Sequence, residues 1–205
     1  MSVLSDKATL PGALRSPAPF CAVVLTIVMC LLQALPSGWR EWLRYERVAV
    51  GEGEVWRLVT SSVVHLGWAH LVLNATAMLI MAWLFSDDRP RIAWASDLAI
   101  CAMASAGGLF LFAPQVQWVV GLSGALHGLF VVGCLAWIAA GVGMGWALLA
   151  GVAAKVAWEQ WQGEMPLSGD IVGGAVITDA HLWGAVGGLF AFGLFELGRR
   201  AMSRV

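Results

Sequence analysis

The sequence predicts an all-α fold, a polytopic membrane protein built as a bundle of six transmembrane helices. Hydrophobic residues make up 60% of the 205-residue chain and charged residues only 12%. The mean hydropathy of +0.78 is well above that of a soluble domain. The apolar residues fall into runs of roughly the 20-residue length at which a helix crosses a bilayer. The net charge of −1 gives no indication of a nucleic-acid partner.

Six apolar runs are the candidate spans, and they define the predicted domain organisation. The spans cover residues 19–35, 66–85, 92–112, 122–140, 142–161 and 180–197. They form one domain over residues 18–198, with an outer loop at 36–60, an N-terminal tail at 1–17 and a basic tail at 199–205. The first run could be mistaken for a secretory signal. Because further apolar runs follow it in place of a cleavage site and a soluble domain, we predict a retained span.

The distribution of positive charge predicts that both termini are cytoplasmic. With that orientation the cytoplasmic segments hold Lys7, Arg15, Arg89, Arg91, Arg199, Arg200 and Arg204. The outer loop holds Arg40, Arg44, Arg47 and Arg57, interspersed with glutamates. The excess on the inner side agrees with the positive-inside rule. The outer loop is predicted either to lie in the membrane interface as an amphipathic segment that shields the site, or to be a solvated loop with snorkelling side chains.

The second, fourth and sixth spans enter the bilayer from the same outer face, and their first turns carry polar side chains. His70 and Asn74 share one face of the second span, Ser123 begins the fourth, and His181 begins the sixth. At about 1.5 Å of rise per residue, Ser123 and His181 lie at a similar shallow depth. A serine hydroxyl becomes a nucleophile beside a base, and histidine is the usual one. Taken singly, each of these residues could instead have only a structural role, since polar side chains commonly link helices in a membrane by hydrogen bonds.

Two pairs of glycines predict how these helices pack. Gly124 and Gly128 lie four apart on the fourth span, and Gly184 and Gly188 lie four apart on the sixth. Small residues at this spacing allow helix backbones to approach closely in lipid. His181 shares a face with the second pair, so the same contact should direct its imidazole towards the fourth span.

These residues together resemble the rhomboid intramembrane serine proteases. The matching motifs are Trp56-Arg57, His65-x4-His70-x3-Asn74, Gly121-x-Ser123-Gly124 and His181-x2-Gly184-x3-Gly188. They occur in the family's order, and the resemblance covers nearly the whole chain. It implies a rhomboid-like bundle with a catalytic dyad that lacks a carboxylate.

The resemblance also implies the role of each residue. Ser123 is expected to be the nucleophile and His181 the general base. His70 and Asn74 are expected to form the oxyanion hole together with the Ser123 backbone N–H. The N-terminus of a helix suits this task, because it presents free N–H groups and the positive end of the helix dipole. No metal or other cofactor is expected.

His127 departs from the common rhomboid pattern, in which an aromatic residue one turn after the serine stacks on the histidine. This variant resembles the rhombosortase branch of bacterial rhomboids. The likeness implies an inner-membrane enzyme with a periplasmic active site, and substrates whose C-terminal tails carry a Gly-Gly motif, a transmembrane helix and a basic cluster. His127 is predicted to support the dyad in one of two ways, either as a neutral packing substitute or by accepting a hydrogen bond from His181.

Lys155 and Glu159 lie four residues apart on the fifth span, close to its outer end. A lysine within a span is costly unless it snorkels or pairs. One hypothesis is an ion pair with a structural role only. The other is a substrate gate, in which the pair lines a lateral opening between the second and fifth spans.

Three alternatives to this function stay open. The chain could be a general rhomboid protease that cleaves other single-span proteins, or an inactive rhomboid-like binding protein. In a different class, His70 and His181 could be the axial ligands of a b-type haem.

Overall fold

A computed structural model describes residues 17–85 and 91–202, and in these ranges the chain is mostly helical. In chain order the elements are α1 (Pro17–Ala34), α2 (Ser37–Leu43), β1 (Tyr45–Glu46), α3 (Arg47–Gly51), α4 (Arg57–Thr60), a 3-10 turn (Ser61–Val63), α5 (Trp68–Leu84), α6 (Arg91–Phe112), β2 (Trp118–Val119), α7 (Ser123–Ala139), α8 (Met144–Gln162), α9 (Ser168–Val172) and α10 (Thr178–Met202). A helix therefore lies at each of the six predicted positions, and this part of the prediction is confirmed.

By length and composition, fewer than six of the described helices qualify as membrane spans. Within the described ranges, the segments Ala93–Phe112 and Thr178–Gly198 are long and apolar enough to cross a membrane. The pair Arg57–Val63 and Trp68–Leu84 would form a third span if its 97° bend is counted as a break within one span. Ala18–Ala34 and Ser123–Ala139 are apolar but shorter. The count of six spans stays a prediction.

The predicted close contact between α7 and α10 is confirmed. A Cβ added to Gly184 would overlap the carbonyl group of Gly124, and one added to Gly188 would overlap that of Gly128. Backbones this close leave no room for a side chain, which is the physical reason for glycine at these positions. The contact brings the first turns of the two helices together.

Helix α6 completes this side of the bundle. The Ser105 hydroxyl donates a 2.9 Å hydrogen bond to the carbonyl oxygen of Ala180, the residue before His181. Gly108 leaves space for the ring of Trp183, which stacks on Phe112 at a centroid distance of 4.5 Å. The first turn of α10 is therefore held by α6 as well as by α7.

The outer loop is an ordered structure attached to the segment that precedes Ser123. Its strand β1 pairs with β2 in antiparallel fashion, with Tyr45 opposite Val119. The Arg47 guanidinium donates to four main-chain carbonyls, those of Leu109, Phe110, Ala113 and Val116. Arg57 is buried, pairs with Glu54, and donates to the carbonyls of Glu41 and Arg44. The bonds of Arg47 satisfy carbonyls at the end of α6 and in the segment that leads to β2, and those of Arg57 join parts of the outer loop to one another.

The tryptophans of the loop are exposed at its surface. Trp39, Trp42 and Trp56 each expose 41% or more of their surface. Tryptophan side chains favour the boundary between hydrocarbon and water. The exposed rings agree with an interfacial amphipathic segment.

Parts of the predicted tails and of one loop fall outside the described residues. These parts are residues 1–16, 86–90 and 203–205, which include Lys7, Arg15, Arg89 and Arg204. The last helix continues to Met202, four residues beyond the predicted domain boundary at 198.

Candidate active site

Ser123 and His181 meet where α7 packs on α10. Ser123 is the first residue of α7, and His181 lies in the first turn of α10. The Nε2 atom of His181 lies 3.1 Å from the Ser123 hydroxyl, and only 4% of the histidine surface is exposed. The hydroxyl can donate to the imidazole, which is the arrangement that nucleophilic catalysis requires.

Gly121, two residues before Ser123, packs against two further predicted site residues, His70 and Asn74. Its φ of +113° lies in the region that favours glycine. A Cβ at this position would lie 2.5 Å from Cε1 of His70 and 3.5 Å from Nδ2 of Asn74. The turn before Ser123 therefore lies directly against both side chains of α5.

The Asn74 amide nitrogen is available as a donor. It is buried and has no hydrogen-bond partner among the described residues, yet the side chain lines the same cavity as Ser123. Nδ1 of His70 is likewise buried and unpartnered within the described part of the chain. Buried polar atoms are normally satisfied, so the unpartnered amide donor of Asn74 in the wall of this cavity indicates a position where a ligand oxygen can bind.

His127 stacks on His181 and does not share a hydrogen bond with it. The ring centroids lie 4.0 Å apart with an interplanar angle of 16°. Nδ1 of His127 contacts the Ser123 carbonyl at 2.8 Å, and Nε2 contacts the Lys155 ammonium at 3.0 Å. Because both ring nitrogens have these partners, the predicted direct hydrogen bond between the two histidines is wrong for this structure. The stacking alternative agrees with it.

Lys155 and Glu159 also belong to this cluster. They pair at 2.5 Å within α8, and the second carboxylate oxygen of Glu159 lies 2.8 Å from Nδ1 of His181. The Glu159 side chain is 2% exposed and that of Lys155 is 39% exposed. The carboxylate therefore lies behind His181, on the side opposite to Ser123. The sequence indicated the pair but gave no sign of this contact, which arises only from the packing of α8 against α10.

All seven predicted site residues line one open cavity of about 820 Å³. They are His70, Asn74, Ser123, His127, Lys155, Glu159 and His181. Two further parts of the wall were not predicted from the sequence: β2 with the residues up to Gly121, and the segment from Gly173 to Ile177 after α9. The backbone N–H of Val176 donates to the Glu164 carboxylate at 2.9 Å, which holds that segment. Neither part carries a motif, so only the tertiary structure reveals them.

The positive charge beside His127 and Glu159 comes from the Lys155 ammonium. Ligating atoms of His127, Glu159 and His181 lie within 4.8 Å of one another, close enough for three ligands of a metal ion. The Lys155 ammonium contacts two of these residues, His127 and Glu159. A cation at this position would compete with the lysine.

The fold and the site define a class of protein, a helical membrane protein with a serine and a histidine in contact at the wall of an open cavity. A family model described as the Rhomboid domain matches residues 52–196, which include all seven of these site residues. The chain therefore belongs to the rhomboid family and is an integral membrane protein.

One relative supports the same family. The chain is 28% identical over 114 residues to "Putative rhomboid protease YdcA" of Bacillus subtilis (strain 168). The match covers 54% of this chain and 57% of that protein. The chain thus spans little more than half the length of the relative that it matches.

Proposed function

We propose that this protein is an intramembrane serine endopeptidase in which Ser123 is the nucleophile and His181 the general base. The observation that carries the proposal is the 3.1 Å contact between the Ser123 hydroxyl and His181 Nε2 at the wall of an open cavity. Membership of the rhomboid family and the relative described as a rhomboid protease support it.

The residues account for each step of peptide hydrolysis. Ser123 Oγ attacks the scissile carbonyl carbon while its proton passes to His181 Nε2. The negative charge that develops on the carbonyl oxygen is stabilised by the Ser123 backbone N–H, by Asn74 and by His70. The C–N bond breaks as His181 returns the proton to the leaving amine. A water molecule then attacks the acyl carbon as its proton passes to His181, and the ester C–O bond breaks as His181 returns that proton to Ser123 Oγ.

We propose that the substrates are single-span membrane proteins cleaved near the outer face. The carbonyls of a substrate helix are hydrogen-bonded within the helix, so the scissile segment must unwind before it enters the cavity. Gly-Gly near the outer end of a span favours unwinding, because glycine disfavours the helix by roughly 1 kcal/mol per residue relative to alanine. The preferred substrates in this proposal are exported proteins with Gly-Gly-containing C-terminal sorting tails, as in rhombosortases.

The proposed location is the bacterial inner membrane, with both termini in the cytoplasm and the site facing the periplasm. The distribution of lysine and arginine and the exposed tryptophans of the outer loop support this orientation.

The haem alternative is less compatible with the geometry. His181 already contacts Ser123 through Nε2 and Glu159 through Nδ1, so an axial bond to iron would have to displace one of them. A strong Soret absorbance of the purified protein would support haem binding in spite of this arrangement.

Covalent labelling tests the proposal directly. The purified protein in detergent or liposomes is expected to react with a fluorophosphonate at Ser123, and the Ser123→Ala variant is expected not to react. A co-expressed Gly-Gly-tailed protein should be cleaved by the wild type and not by Ser123→Ala or His181→Ala, and mass spectrometry of its new C-terminus locates the bond. A matched tail with Leu-Leu in place of Gly-Gly tests the substrate preference. Cleavage by either active-site variant would contradict the assignment.

A further inference from the structure

Glu159 is a buried carboxylate whose two oxygens are both engaged. Oε1 lies 2.5 Å from the Lys155 ammonium and Oε2 lies 2.8 Å from Nδ1 of His181. Burying a carboxylate is costly unless it is paired and hydrogen-bonded. The two contacts meet this requirement, and they orient the carboxylate towards the imidazole.

The hydrogen bonds around His127 follow from the lysine. An ammonium group only donates, so Nε2 of His127 must accept from Lys155. Nδ1 of His127 then carries the hydrogen and donates to the Ser123 carbonyl. His127 is thus a neutral ring that joins Lys155 to the first turn of α7.

The same reasoning determines the tautomer of His181. An ionised carboxylate only accepts, so Nδ1 of His181 carries the hydrogen that is shared with Glu159. Nε2 is left with a free lone pair that faces the Ser123 hydroxyl. This tautomer is the one that can take a proton from Ser123.

We propose that Glu159 is a positioning residue that completes a Ser123–His181–Glu159 triad, with Lys155 holding the carboxylate in place. The inference rests on the proposed protease function and extends it beyond a dyad without a carboxylate. When Ser123 gives its proton to Nε2, the ring becomes an imidazolium that keeps its hydrogen on Nδ1, and the carboxylate stabilises that charge without taking the proton. The Lys155 ammonium, on the far oxygen, neutralises the carboxylate in the resting enzyme.

The Glu159→Gln variant tests this role, because Lys155 controls the orientation of the new amide. The lysine requires an acceptor and so holds the amide oxygen, which leaves the amide NH₂ facing His181. Nδ1 must then accept, Nε2 carries the hydrogen, and the ring cannot act as a base. We expect kcat to fall by at least about tenfold with KM changed by less than about twofold.

The double variant Glu159→Gln with Lys155→Met gives a result that a purely structural role would not produce. Without the lysine the amide can rotate and present its oxygen to His181, which restores the productive tautomer. We expect the double variant to be more active than Glu159→Gln alone, although it has lost more of the ion pair. An equal or lower kcat in the double variant would contradict the proposal.

The pH profile is a further readout. The groups that face His181 are His70 from α5, His127 from α7, and Lys155 and Glu159 from α8. Loss of the carboxylate removes the charge that favours the imidazolium, so the acid limb of the activity profile should move to lower pH in Glu159→Gln. An unchanged profile, together with an unchanged kcat per fluorophosphonate-reactive site, would assign Glu159 to a structural ion pair only.

Asp179→Asn is the matched control. Asp179 lies two residues before His181 but contacts Gln115, so the variant removes one carboxylate charge near the site without a change at the imidazole. Its kcat should remain within about twofold of wild type. Unfolding in SDS should be measured for every variant, and rates should be expressed per labelled site.

A spectroscopic measurement separates this inference from the proposed function. In histidine-selectively ¹⁵N-labelled protein, His181 should carry its hydrogen on Nδ1, and Glu159→Gln should transfer it to Nε2. If the wild type neither labels nor cleaves while His181 shows this tautomer, the protease function fails and the triad fails with it, and only the orientation of His181 by Glu159 stands. A hydrogen on Nε2 in an active wild type would overturn the positioning role alone.

Discussion

The Cα of Gly184 lies against the carbonyl group of Gly124, so that a single added methyl group would overlap it. This contact joins the helix that carries His181 to the helix that begins with Ser123. The separation of the two site residues therefore depends on the absence of a side chain at position 184.

Gly184→Ala is expected to destabilise the protein and to separate the dyad. Overpacking of a tight contact costs about 1–3 kcal/mol, and the facing group is backbone that cannot move aside as a side chain could. SDS unfolding and fluorophosphonate labelling should both decline. Gly193→Ala is the control on the same helix, because a Cβ there meets nothing within 4 Å. Equal behaviour of the two variants would contradict the packing argument.

Loss of either side-chain donor of the proposed oxyanion hole should slow catalysis and leave substrate binding nearly intact. Removal of one such donor in other enzymes costs about 10²- to 10³-fold in kcat. Asn74→Ala should approach this range, because its amide nitrogen is buried with no other partner among the described residues. His70→Ala should also lower kcat. Steady-state kinetics on a cleavable substrate measures the effect, and wild-type kcat in both variants would leave the oxyanion to the backbone alone.

Gly121→Ala should impair turnover more than Gly53→Ala. Both glycines have positive φ values, +113° and +106°, so alanine is strained at each position. A Cβ at Gly121 would in addition lie 2.6 Å from Nε2 of His70, whereas one at Gly53 meets nothing within 4 Å. The difference in kcat between the two variants reports the displacement of His70. Equal losses would show that backbone strain alone is responsible.

His127→Phe should retain most of the activity, and His127→Ala should lose more. Phenylalanine preserves the ring stacked on His181, which lies 4.0 Å away between centroids, but loses the contacts to Lys155 and the Ser123 carbonyl. Stacked rings contribute about 0.5–1.5 kcal/mol beyond their buried area, so alanine should also weaken the orientation of His181. Comparison of kcat for the two variants separates the contribution of the stacked ring from that of the hydrogen bonds. A phenylalanine variant as slow as the alanine variant would show that the hydrogen bonds of His127, and not its ring, are required.

Tyr45 should make the protein sensitive to alkaline pH. Burial raises the pKa of the Tyr45 hydroxyl, an effect that the nearby Arg47 charge partly opposes. The folded state therefore holds this proton more tightly than the unfolded chain. The stabilisation is fully present at pH values below the ordinary tyrosine pKa of about 10, and it is lost as the pH rises through the folded-state pKa of Tyr45.

Tyr45→Phe should remove this alkaline loss without reducing stability at neutral pH. The hydroxyl is buried with no hydrogen-bond partner within the described residues, so its removal leaves no group unsatisfied. Denaturant unfolding between neutral and strongly alkaline pH measures the difference. Tyr45 is the single tyrosine of the chain, so tyrosinate absorbance follows its titration directly. Titration of the folded wild type at the ordinary value would contradict the prediction.

The membrane character, the positions of the long helices and the proximity of the predicted site residues could all be predicted from the sequence. Hydropathy identifies these helices because an apolar segment in lipid has to satisfy all of its backbone hydrogen bonds internally, and a helix does so. The glycine pairs specified the contact between α7 and α10, since close backbone approach depends only on residue size and spacing. The shared entry face of three spans then indicated that Ser123, His181, His70 and Asn74 lie at one level.

The hydrogen bonds and ring contacts among these side chains follow from helix packing and could not be predicted from the sequence. The hydrogen bond from His181 to Glu159 and the stacking of His127 depend on the rotation of each helix about its axis, to which a hydropathy pattern is insensitive. The strand pair that ties the outer loop to the segment before Ser123 joins residues more than 70 positions apart and has no local signal. Composition is equally insensitive to the pairing of charged side chains within α8. Lys155 and Glu159 make α8 less apolar by composition, and the bundle accommodates their charges by pairing them with each other and with His181.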